Sequence, residues 1–164
     1  MGIKATGSQP DQAQKFAPDA EIIFREWAVN NADITDVCST RVATRLPRNA
    51  TLPFLTFFSN GGTMMTPRSE AFISSVALQV NAFAGKWGGG SSSQPDYATA
   101  LQLANGVAEA ALKTGTTRVV TPTSATAAVI YSFEVVELPI RVEETETGLG
   151  HYQLSLIMNY RGLD

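Results

Sequence analysis

The sequence predicts one domain of the α/β (α+β) class, an antiparallel or mixed β-sheet packed against two α-helices. Three observations lead there. Two segments repeat apolar residues at helical spacing, several others alternate apolar and polar residues with the period of a strand, and the order helix, strands, helix, strands recurs without any internal sequence repeat. The 164 residues, 44% of them hydrophobic, suffice for one core and not for two.

Residues 1–18 combine Gly, Ser, Gln, Asp, Lys and Pro with scattered apolar groups, a composition too poor in burial to offset the entropy of ordering, so they are expected to form a flexible N-terminal arm. Residues 19–164 are then the folded domain. The first helix follows at once: Ala20, Ile23, Phe24, Trp27 and Ala28 share one face, and acidic Asp19 and Glu21 stand in the first turn, where the helix dipole favours them. Asn30-Asn31 is expected to end it after about three turns.

Arg41 to Leu46 alternates weakly before Pro47. Pro53 to Phe58 is a dense apolar run that reads as a buried strand entering a turn at Ser59-Asn60-Gly61-Gly62. Within Ala71 to Phe83, Val76, Leu78, Val80 and Ala82 fall on one face while Ser75, Gln79 and Asn81 fall on the other, as in a strand covered on one side. Gly85 to Gln94 reads as a flexible loop. It is no phosphate cradle, because Lys86 precedes the glycines instead of following them at a helix mouth.

Pro95 is expected to open the second helix, with Tyr97, Ala100, Leu101, Ala104, Ala108, Ala111 and Leu112 along one side and Gly115 as its stop. Its many alanines would let it lie close on a sheet, and Gly106 reads either as a close backbone approach or as a tolerated surface glycine. Strands are expected at Arg118 to Thr121, Ala128 to Val136, Ile140 to Val142 and His151 to Tyr160, with Glu143 to Gly148 as a polar turn.

Little in the chain suggests catalysis. His151 is the only histidine and reads as a solvated side chain on a polar strand face; no Gly-x-Ser-x-Gly elbow presents a nucleophile to it. Cys38 is the only cysteine, which excludes an intrachain disulfide and a multi-cysteine zinc site, and it reads as a small buried residue. Glu143, Glu144 and Glu146 are the one dense carboxylate group, set in a polar turn without the alternating oxygen ligands of a calcium loop. The sequence therefore predicts no enzyme, no metal and no cofactor.

Charge narrows the partners. A net charge of -3 lacks the basic excess that general nucleic-acid binding needs. No run reaches the ~18 apolar residues of a membrane helix, and the N-terminus lacks the pattern of a secretory signal, so a cytoplasmic protein is expected. The charges are segregated: Arg41, Arg45, Arg48 and Arg68 lie in the N-terminal half, whereas Glu134, Glu137, Glu143, Glu144 and Glu146 are met only by Arg141. Such segregation suits head-to-tail contacts between copies. Candidate interface residues are Arg41, Arg45, Arg48, Arg68, Trp87, Glu143, Glu144 and Glu146.

The order of landmarks now becomes specific: a helix, Arg41-Val42 and Leu46-Pro47, Leu52-Pro53-Phe54-Leu55-Thr56-Phe57 with Gly61-Gly62, Leu78 to Gly85, the Ala-rich helix, and Tyr152 to Tyr160-Arg161-Gly162. In this order the chain resembles the tail terminator (tail completion) family of long-tailed, non-contractile bacteriophages over roughly residues 19 to 162. The resemblance implies a tail-terminator-like fold and a ring, commonly a hexamer, that stops tail-tube polymerisation and offers a docking surface to the head connector. The implied partners are further copies, the tube protein and the connector, with genomic DNA passing through the lumen without specific binding; the implied location is the tail–neck junction of the virion. The leader before Asp19 and the long stretch from Thr126 to Val142 exceed the family's compact pattern. The same ring logic would fit a neck or head-completion connector protein. A reading of another class is a small-ligand-binding domain whose pocket uses Trp27, Trp87 and Tyr97.

Overall fold

The computed structural model describes residues 18–65, 73–88, 93–114, 118–123, 125, 127–143 and 146–163. Three helices and a mixed sheet of the α+β class make up this part: α1 (Ala20–Val29), α2 (Ala32–Cys38), β1 (Val42–Ala43), β2 (Phe54–Met65), β3 (Ile73–Lys86), β4 (Gln94–Pro95), α3 (Tyr97–Lys113), β5 (Arg118–Val120), β6 (Ala128–Arg141) and β7 (Gly150–Gly162). The sheet order is β1-β2-β3-β7-β6-β5, with β4 attached to β3. Among the described strands only β1 and β2 run parallel.

The Asp19 carboxylate caps α1 by accepting the Glu21 N–H at 2.8 Å. The expected stop at Asn30-Asn31 is real but brief: the chain turns and resumes as α2, so the described residues hold three helices where two were expected. Seven residues carry too little periodicity to announce a helix, and one this short is held by packing, here through buried Ile34 and Cys38. Gly106 of α3 is a close approach, since a Cβ there would overlap the Asp33 carbonyl of α2.

Helix α3 begins after Pro95, at Tyr97, because Asp96 provides the cap: its carboxylate accepts the Thr99 N–H at 3.0 Å while Pro95 stays in β4. Ala100, Leu103, Ala104, Val107, Ala108, Ala110 and Ala111 are buried, but Leu112, expected on that side, is 66% exposed. The buried arc is centred on Ala104, Val107 and Ala111, which turns Leu112 to the rim.

In the sheet, Ser59-Asn60-Gly61-Gly62 does not end the strand. It forms a bulge inside β2, between the Ser59–Leu78 and Gly62–Val76 pairs, and Gly61 takes a φ of 93° that favours glycine. The two strands expected across Ala128 to Val142 are one, β6, broken by bulges between Ile130 and Ser132, Val135 and Glu137, and Glu137 and Ile140. Bulges shift side chains between faces, which is why the alternation looked interrupted.

Helices α1 and α3 cover one face, and α2 packs on both of them. Phe24 and Trp27 of α1 meet Phe57 and Phe133 of the sheet, with centroids 4.8 Å apart for Phe24–Phe57 and 4.4 Å for Trp27–Phe133. The buried Trp27 indole donates to Thr114 Oγ at 3.3 Å, so its one polar atom is satisfied. Leu78, Val80, Leu154, Leu156, Met158 and Ile130 complete this core.

Candidate functional site

Cross-strand register identifies the residues on the opposite face. Thr56, Asn81, Gln153 and Ile140 form one rung from β2 to β6; Phe58, Gln79, Ser155 and Glu137 form the next; Ala77, Ile157 and Glu134, then Ser75, Asn159 and Ser132, follow. No described helix packs over these rungs; Thr56 and Asn81 of the first are buried, whereas Ser75, Ala77, Gln79, Gln153, Ser155, Ile157 and Asn159 are half-buried. The face is nearly neutral. Among the described residues its charges are Glu134 and Glu137 beside the β6 edge and Arg161, which stands opposite Val129 at the far end.

His151 belongs to the closed end of this face, and the expectation of a solvated ring is corrected. It is buried, stacks on Phe83 with centroids 4.3 Å apart, and its Nε2 lies 2.9 Å from the Asn81 carboxamide oxygen. Alternation placed it on the polar face correctly but could not show that Phe83, its partner across the ladder, would cover it. Cys38 is fully buried, as expected, and burial pushes its thiol up to about 11, far from the thiolate that nucleophilic chemistry uses.

The aromatics considered for a ligand pocket do not converge. Trp27 is sealed in the core, the Trp87 indole donates to the Ala50 carbonyl at 2.8 Å, and Tyr97 lies edge-on to Tyr152 beneath the Arg141 guanidinium, 3.7 Å from its ring centre. A groove of about 620 Å³ between α2 and α3 is rimmed by Asp33, Asp36 and Glu109, with the Lys113 ammonium 3.0 Å from Asp33. Among the described residues no cluster of His, Cys, Asp and Glu has metal-ligand form. No described helix is long and apolar enough to cross a membrane.

The charges singled out in the sequence are sorted by the sheet. Arg41 precedes the edge strand β1, and its Nε donates to the Pro53 carbonyl at 2.8 Å; Arg45 and Arg48 are exposed on the loop that follows β1. Trp87 pins that loop through Ala50, a positioning role in this chain. Across the sheet, residues 131–141 of β6 extend beyond β5 and form the other edge, bearing Glu134 and Glu137. Glu143 and Glu146 continue it and are exposed, Glu143 lying 3.7 Å from Arg141. The sheet thus ends in arginines on one side and glutamates on the other; Arg68 and Glu144 lie outside the described residues.

The polar segments that follow β3 and β6 meet at their bases, where Gly148 packs on Ser93, and Gly88, Glu143 and Glu146 are exposed; Gly85, Lys86 and Gln94, expected in the first of these loops, belong instead to the paired ends of β3 and β4. Sequence reasoning missed three residues of the β6 edge: Val136, Leu138 and Ile140 are 56%, 72% and 51% exposed. The signal was present as Pro139 inside a strand-like run, a residue that sheets confine to edges and bulges. No protein-family model matches the chain, and no curated protein matches it.

Proposed function

We propose that this chain is a structural virion protein that caps the end of a phage tail tube as a closed ring, stopping tube growth and presenting the surface on which the head connector docks. The supporting observation is the uncovered, nearly neutral sheet face. Its described rungs are mostly Ser, Thr, Asn and Gln, with Phe58, Ala77, Ile157 and Ile140 spread among them, a mixture too polar for a dry core with a partner, and its scarcity of cations gives a DNA backbone little to adhere to. Such a surface suits the wall of a wet channel through which DNA slides.

A ring of subunits joined edge to edge would turn these faces to the lumen and leave two rims for different partners. One rim would meet the last tube layer and the other the connector, at the tail–neck junction. A tail-terminator-like arrangement of the fold belongs to the same proposal, and the resemblance of residues 19 to 162 to that family supports it. Assembly of tails in cells lacking only this protein tests the reading. Tubes of unregulated length are expected; tubes of normal length that fail to join heads would instead assign the chain to the neck, and infectious particles would refute both.

A further inference from the structure

The two edges of the sheet are chemically opposite, and the cross-strand register relates them. Ala43 of β1 pairs with Thr56, Thr56 with Asn81, Asn81 with Gln153, and Gln153 with Ile140 of β6, so one rung runs from edge to edge. Residues 39–59 contain Arg41, Arg45 and Arg48 and no acidic residue, whereas residues 134–149 contain five glutamates and one arginine. Beside Glu134 and Glu137 stand exposed Val136, Leu138 and Ile140, large apolar side chains within five residues of one another.

From these observations we infer that the β6 edge of one copy docks on the β1 edge and the Arg45–Arg48 loop of a second copy, head to tail. This names the subunit contact of the ring proposed above and rests on that reading. A second copy is the occupant because the complementary charge is carried by the same chain at the opposite edge of the same sheet. Contacts between unlike patches propagate around a ring, whereas a two-fold contact of the β6 edge with itself would set glutamates against glutamates.

Side chains, not a continued sheet, make this contact. Pro139 offers no N–H and the bulges at Val135–Glu137 and Glu137–Ile140 break the spacing of ladder groups, features that blunt an edge against indiscriminate pairing. Selectivity falls to the charges, while Val136, Leu138 and Ile140 supply apolar burial.

Charge exchange tests the contact. The full chain is prepared as wild type, as Glu134→Lys with Glu137→Lys, and as Arg45→Glu with Arg48→Glu, and the mass of each is followed by light scattering over a concentration series at low salt. All four positions are exposed, and circular dichroism confirms that each variant folds. Each reversed protein alone should associate on the order of tenfold or more weakly than wild type, in a manner that salt reduces. An equimolar mixture should recover assembly, because each of its alternating contacts again joins opposite charges. Leu138→Ser should weaken association equally at low and high salt.

Wild-type rings unaffected by either reversal would overturn this contact and leave the ring reading standing. Recovery of open chains without closure would support the contact and refute the ring. A wild type that stays monomeric at every concentration would refute both.

Discussion

Gly150 offers a direct check on how closely α3 lies against the sheet. A Cβ there would stand 2.6 Å from the Asp96 carbonyl carbon, 2.6 Å from its oxygen and 2.8 Å from the Tyr97 nitrogen, all backbone atoms at the start of α3. Ordinary contacts begin near 3.4 Å. No side-chain rotation relieves the overlap, so Gly150→Ala must push the capped end of α3 away from β7 and loosen the alanine-rich contact beyond it. Overpacking of this kind costs about 1–3 kcal/mol, and backbone on both sides places this case in the upper half of the range. With an m-value of about 2 kcal/mol/M, the urea midpoint should fall by roughly 1 M. Gly61→Ala is the control: nothing lies within 4 Å of its Cβ, so only the positive φ opposes it, at about 1 kcal/mol. Equal losses at the two sites, or a Gly150→Ala loss under about 0.5 kcal/mol, would refute the steric argument.

Other consequences follow from single contacts. Asp96→Ala should cost about 1 kcal/mol in urea unfolding by removing the α3 cap. The Thr99 N–H holds the Asp96 carboxyl below its ordinary range, so this contribution is present above that range and lost as pH falls through the lowered value; the variant should show a flatter acid limb. Burial, followed by the Asp19 charge, pushes the Tyr160 hydroxyl from 10.0 up to about 12, so its contribution is complete below pH 10 and disappears as pH rises toward 12. Tyr160→Phe should flatten that alkaline limb and cost about 1 kcal/mol through loss of the 2.6 Å bond to the Pro18 carbonyl. Gln79→Arg with Ser155→Arg would place cations in the middle of the bare face; a gel shift with duplex DNA, absent in wild type, is expected, and its absence would argue against that face as a channel wall.

What the sequence disclosed follows the physics of repetition. The 3.6-residue period of Ala20 to Ala28 and the two-residue period of Val76 to Ala82 located buried faces, because every side chain in those elements reports the same environment. Two kinds of feature escaped. Helix α2 lies below the length at which a period can be counted, and Leu112 required the helix axis as well as its spacing. The bulges at Gly61 and along Val135 to Ile140 broke the alternation and were read as a turn and as a gap between strands. The segregation of Arg41, Arg45 and Arg48 from Glu134, Glu137, Glu143 and Glu146 was visible in the chain, but only the sheet order sets the two groups at opposite edges. The exposed Val136, Leu138 and Ile140 were hidden for the same reason, since their hydrophobicity alone predicts burial.

Whether copies of this chain close into a ring is read from the absolute mass of the purified protein across a concentration series. For the proposed ring the mass should rise to one fixed multiple of the chain, six copies under the proposed tail-terminator reading, and stay there as concentration increases further. A mass that remains at one chain throughout, or one that grows without limit, would contradict it.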